Sequence, residues 1–366
     1  MNLIERHHRR RVGIWLLVCC LVLFSLIMLG GATRLTGSGL SMVVWEPVTG
    51  VVPPMNEADW QLEFDAYRAT PEYQKVNRGM ALHEFKVIYW FEFGHRMLAR
   101  SLGLIFALPL AWFFWHGYIG RRLRWPLLGV LGLGILQGWM GWFMVSSGLV
   151  DVPRVSPYRL AAHLSLAMIL FAFMLRLALG QLLPAAHQKR PQRRWTIALL
   201  IMVAATIFMG AFVAGLHAGL VYNDFPRMAG QWIPDGILGL QPLWRNFFEN
   251  TATVQFVHRV LAISTLVVAA AAWLQARNSL QDILARRLLG LTLVVVIVQV
   301  VLGISTLMLF VPVVLGTLHQ GVAVLVLAAI VAADYRISHP PSRGAEHDGR
   351  LAPAISQAAG RAGFSK

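Results

Sequence analysis

Charge is what this chain has least of. Only 13% of its 366 residues are Asp, Glu, Lys or Arg, about half the share in a soluble domain, so the chain cannot clothe a water-facing surface of ordinary size. Cysteine is nearly absent. Cys19 and Cys20 are adjacent in an apolar stretch, where they act as small hydrophobes, and no long polar segment holds another, which excludes a disulfide there. A cleavable leader is also not expected. The first apolar block is too long for a signal core, and Gly30-Gly31-Ala32-Thr33-Arg34 is a poor cleavage site, so this block is expected to remain as a first span.

Apolar residues make up 57% of the chain. They fall in eight blocks, near 13–31, 92–117, 126–148, 160–183, 196–216, 254–275, 288–311 and 314–335, each of the roughly 20 residues that cross a bilayer as a helix. The fold class is therefore an all-α integral membrane protein with eight transmembrane helices. The net charge of +15 is of the size that nucleic-acid binding calls for, but its distribution follows topology. With the N-terminus inside, 19 of the 32 Lys and Arg residues fall on the inner side, as the positive-inside rule requires. Both termini are then cytoplasmic, in a bacterial inner membrane, and the lipid bilayer rather than nucleic acid is the partner.

The two halves repeat each other. Gly30-Gly31-Ala32 leads into Leu35-Thr36-Gly37-Ser38-Gly39-Leu40, and Gly210-Ala211-Phe212 leads into Gly215-Leu216-His217-Ala218-Gly219-Leu220. Gln137 with Gly141 matches Gln299 with Gly303 at the same spacing. Four spans per half give both halves one orientation, which implies a pseudo-two-fold axis along the membrane normal relating two four-helix bundles. The expected organisation is a basic N-terminus (1–12), a first bundle (13–183) with a long outer loop (32–91), an inner linker (184–195), a second bundle (196–335) and a disordered tail (336–366). Trp60, Phe64, Tyr67 and Tyr73 of the long loop either lie on the membrane surface or cap the bundle.

The repeat also orders the histidines. His95, His163, His258 and His319 each lie near the outer end of an even-numbered span. Counting to the first inner basic residue gives 26 residues for both His95 and His163, and 19 and 17 for His258 and His319. At about 1.5 Å per residue, partners within a half match in depth to about 3 Å. Two parallel helices offering His at one depth can clamp a planar iron porphyrin from both faces. His83 and His217, at the outer mouths, stay in reserve. The halves differ in one respect: Glu92 precedes His95 by one helical turn, whereas the matching residue before His258 is Gln255. Only Glu92 can exchange a proton, which points to a reactive haem in the first half and a redox cofactor in the second. The arginines Arg34, Arg96 and Arg259 are the candidate propionate contacts.

Taken together, these stretches resemble the haem A synthase family over residues 13–335. The resemblance is carried by Gly30 to Ser41, Trp45 to Pro54, Glu84-Phe85-Lys86, Glu92-Phe93-Gly94-His95-Arg96, Tyr158 to His163, Ala214 to Met228, His258-Arg259 and His319-Gln320. It implies oxidation of the C8 methyl of haem O to the formyl of haem A by two hydroxylations through a hydroxymethyl intermediate. It further implies that His258 and His319 hold a haem B cofactor, while His95 and His163 ligate the substrate haem with Glu92 as the catalytic group beside it. Protoheme farnesyltransferase is the implied supplier of haem O, and cytochrome oxidase with its assembly factors the destination. A homo-oligomer is left open. Some members carry a cysteine pair in the first outer loop that this chain lacks, so no thiol-dependent step carries over. Two other readings fit paired histidines: a di-haem electron carrier of cytochrome b type, and a haem transport or assembly factor.

Overall fold

A computed structural model of the chain describes residues 3–44, 50–146, 155–183 and 191–340. The expected tail beyond residue 340, linker residues 184–190 and motif residues 45–49 lie outside the described residues. Eleven α-helices are present among them: α1 (Leu3–Leu35), α2 (Glu57–Arg68), α3 (Pro71–Lys75), α4 (Leu82–Trp115), α5 (Arg121–Ser146), α6 (Pro157–Leu182), α7 (Arg193–Gly215), α8 (Asn246–Glu249), α9 (Thr251–Ser279), α10 (Ile283–Met308) and α11 (Val313–Ser338). The eight long ones are apolar enough to cross a membrane, and each contains most of one predicted block. Among the described residues there is no strand, only an isolated bridge between Met228 and Gln231. In hydrocarbon every backbone group must be bonded within its own segment, which helices achieve.

The helices overrun the apolar blocks. At 34 residues, α4 is about 50 Å long, far more than the ~30 Å bilayer core, and it begins ten residues before the predicted span. His95 consequently lies well inside α4 rather than at its start. The outer extension of α4 is where the cap sits. Trp60, Phe64 and Tyr67 of α2 and Tyr73 of α3 are buried against Phe85, Tyr89 and Phe93 of α4, with ring centroids 5.1 Å apart for Tyr67–Phe85 and 5.0 Å for Trp60–Tyr89. Of the two readings of these aromatics, the structure gives the cap. Asn56 and Thr70 start α2 and α3 by accepting from the backbone N–H of Asp59 and Tyr73, which satisfies otherwise orphaned donors.

In the first half α1 and α5 each pack against α4 and α6; in the second, α7 and α10 each pack against α9 and α11. The halves meet where α1 lies on α11, α6 on α7, and α6 on α11. Exchanging the halves maps every one of these contacts onto another. Lipid supplies no hydrophobic drive between helices, so close approach at small residues does the work. Along α1–α11, a Cβ on Gly31 would come within 2.9 Å of Gln320 and one on Gly321 within 2.9 Å of Met28.

Candidate functional site

Each of the four histidines rests on a glycine of a neighbouring helix. A Cβ on Gly30 of α1 would lie 3.0 Å from His95, and one on Gly141 of α5 would lie 3.2 Å from His163. In the second half, Gly210 of α7 stands 3.0 Å from His258 and Gly303 of α10 stands 2.8 Å from His319 by the same measure. Any side chain there would push the imidazole away. The histidines of each half are also brought close enough to feel each other's charge, His95 with His163 and His258 with His319. The depth match counted along the chain therefore becomes a spatial pair.

Glutamines accompany one histidine of each pair. Gln137 Nε2 lies 3.3 Å from both ring nitrogens of His163 and donates to its carbonyl at 3.1 Å. Gln299 Nε2 lies 3.4 Å from His319 Nε2. Their spacing to Gly141 and Gly303 repeats in the sequence, but contact with the histidines was not deducible from it. Buried polar atoms are left over at both sites: Gln137 Oε1, Gln299 Oε1 and His319 Nδ1 have no partner. Unpaired buried groups are costly and rare. Two histidine pairs on glycine floors, with one ring nitrogen of His319 left without a partner among the described residues, fit a haem.

The two pairs are not held alike. His258 Nδ1 lies 3.1 Å from the Thr206 carbonyl, a bond that fixes the ring and leaves Nε2 for a metal. No hydrogen bond to His95 exists among the described residues. Thr206 was missed from the sequence, since a backbone carbonyl leaves no signature.

Glu92 and Arg96 form a buried pair at 2.5 Å, 3% and 8% exposed. The other carboxylate oxygen of Glu92 accepts from Ser41 Oγ at 2.8 Å and from the Met42 N–H at 2.9 Å. Arg96 also donates to the carbonyls of Met42 and Val44. The second half repeats this arrangement without a carboxylate. Gln255 donates to the Tyr222 carbonyl, and Arg259 to those of Tyr222, Asp224 and Arg227. Both pairs thus pin the segment that follows the first helix of their half. Arg34 is part-buried and donates to the Ala214 carbonyl across the interface between halves. These three arginines are engaged by carbonyl oxygens. His83 and His217 are exposed.

Above the first site, Glu72 of α3 is buried and its Oε2 has no partner. Burial first, and the nearby Glu92 charge second, push its carboxyl up to about 7.

A family model described as cytochrome oxidase assembly protein matches residues 13–331. The chain is 50% identical over 270 residues to the heme A synthase of Allorhizobium ampelinum, covering 72% of this chain and 73% of that one. It is 47% identical over 331 residues to that of Rhizobium meliloti, 89% of each chain, and 44% identical over 334 residues to that of Nitrosospira multiformis, covering 90% and 94%.

Proposed function

Because the chain belongs to the cytochrome oxidase assembly protein family and its relatives are heme A synthases, we propose that it is a membrane oxidoreductase that converts haem O to haem A. The observation that carries this reading is the pair of histidine sites, alike in their glycine floors and unlike in their surroundings. In this reading His258 and His319 hold a resident haem B, and His95 and His163 ligate the substrate haem.

Three differences support that division. His258 is oriented in advance by Thr206, as suits a permanent ligand, whereas His95 is not. On α5, Gly134 and Gly138 face open space at the positions where the Gln137/Gln299 register puts Val296 and Val300 on α10. The helices α9 and α10 pack along much of their length, while α4 and α5 meet over a short stretch. The first half therefore has more room, which a substrate with a long apolar tail needs and a compact haem B does not. The third difference is Glu92 against Gln255.

The haem irons supply the redox chemistry when bound. The protein's own part is to set the ligands, exclude water and handle protons. Glu92 is paired with Arg96 on one carboxylate oxygen and accepts from the Ser41 hydroxyl on the other. We assign to Glu92 the handling of protons during the oxidation of the methyl group. A di-haem electron carrier would need no such difference between halves. The pseudo-two-fold arrangement of two bundles belongs to the same proposal and is supported by the contacts that interchange when the halves are exchanged. So does a cytoplasmic location for both termini in the bacterial inner membrane, supported by the inner-side excess of Lys and Arg. Protoheme farnesyltransferase and cytochrome oxidase assembly factors are the proposed protein partners.

Membranes expressing the chain and given haem O test the function directly. Mass spectrometry of the extracted pigment should show the formyl product. Unchanged haem O, with the protein present and haem-loaded, would overturn it.

A further inference from the structure

At the end of the molecule opposite the cap, the two halves enclose a crevice that the haem chemistry does not use. Two adjoining cavities of about 380 and 300 Å³ lie there, a size typical of small-molecule sites (~300–1,000 Å³). Arg9 of α1, Arg176 of α6 and Tyr335 of α11 line the first. The second continues past Arg176 to Arg193 of α7 and Asp334 of α11. Phe173 forms a wall of both.

The charge here does not balance. Two guanidiniums share one carboxylate. Asp334 is buried and accepts from Arg176 at 3.1 Å, from Arg193 at 3.2 Å and from Thr196 Oγ1 at 2.8 Å. One guanidinium is neutralised by Asp334, and one positive charge of this pair remains. Arg176 and Arg193 are 37% and 34% exposed, and each uses one of its five N–H donors on Asp334. Their remaining donors have no protein acceptor among the described residues. Arg176 lies six residues from the end of α6, about 9 Å inside it, so the cations sit toward one end of the bundle. The cavity walls that continue from them are apolar: Phe173, Leu200 and Val331. Cations above and hydrocarbon below match an anionic lipid, and basic pockets between transmembrane helices bind such headgroups.

We propose that this crevice binds one anionic phospholipid, its phosphate held by Arg176 and Arg193 and its chains lying along Phe173 and Leu200. The site ties α1, α6, α7 and α11 together where the halves meet. Only the naming of its leaflet, the cytoplasmic one, rests on the topology proposed above; lipid binding itself does not.

Native mass spectrometry of the full chain in mild detergent, titrated with dioleoylphosphatidylglycerol or dioleoylphosphatidylcholine, tests it. The wild type should retain one phosphatidylglycerol in preference to phosphatidylcholine. Joint Arg176→Gln and Arg193→Gln substitution should weaken that binding by about thirtyfold, at about fivefold per guanidinium lost. Joint Arg124→Gln and Arg287→Gln, exposed at the same end but outside the crevice, should change nothing. Arg176→Lys keeps the charge and should keep most of the affinity. The proposal fails if the double crevice variant binds phosphatidylglycerol like wild type, if the two lipids bind alike, or if Arg176→Lys loses as much as Arg176→Gln. It also fails if inorganic phosphate alone displaces the lipid, which would mark a soluble-anion site.

Discussion

Replacing Glu92 with Gln makes the first half locally resemble the second, and its cost can be worked out from the contacts. Glu92 accepts from Arg96 on one oxygen, and from Ser41 Oγ and the Met42 N–H on the other. A glutamine amide keeps one oxygen, best aimed at Arg96, and turns its NH2 toward Ser41, whose hydroxyl can rotate to accept. The Met42 N–H then loses its acceptor. Removing the charge partner of buried Arg96 costs about 3–5 kcal/mol, below most of the ~5–15 kcal/mol range that holds a typical protein folded. Arg96 keeps the Met42 and Val44 carbonyls, and Arg259 lives beside Gln255 on carbonyls alone. Glu92→Gln should therefore fold and bind both haems. If Glu92 handles protons during methyl oxidation, turnover should fall about a hundredfold or more, with haem O or its hydroxymethyl form accumulating. Pigment analysis of membranes given haem O reads this out. Near-normal haem A output would refute the catalytic assignment and leave Glu92 as an anchor for the Ser41–Val44 segment.

The remaining predictions are these. His258→Ala or His319→Ala should strip the resident haem, whereas His95→Ala or His163→Ala should keep it and lose turnover; the reverse pattern in purified protein would swap the halves. Gly134→Val, which carries the residue of α10 into the open face of α5, should lower turnover at least tenfold while the resident haem is retained; unchanged turnover with haem O would remove the argument from room. Reporter fusions at Lys75 and Gly230 should be active only on the periplasmic side, and cytoplasmic activity at either would invert the topology. Glu72 sets a pH dependence: its carboxyl is pushed from an ordinary 4.5 to about 7 when folded, so the folded state binds the extra proton. Its contribution is fullest below about pH 4.5 and is lost as pH rises to about 7. Thermal unfolding should show Glu72→Gln losing less stability than wild type between pH 5 and pH 8, and parallel losses would show that Glu72 does not titrate there.

By itself the sequence determined that this is a helical membrane protein, where its eight spans lie, and which histidines share a depth. Those are properties along the chain. Apolar length sets a span, and depth follows from a fixed rise per residue. It also exposed the Glu92/Gln255 contrast, because a repeat supplies its own control. Only the tertiary structure decided what touches each histidine. Gly30 lies 65 residues from His95, and Thr206 lies 52 from His258. Their meeting depends on how each helix is rotated and which neighbour it faces. The same holds for Glu92, which periodicity puts on the histidine face but which the structure turns toward Ser41 and Met42. It holds for the aromatic loop residues, whose pattern suits a membrane surface as well as a cap until α4 extends outward to receive them. Rise along a helix is set locally by backbone hydrogen bonds, whereas rotation and neighbours are set by side-chain packing among all eight helices at once.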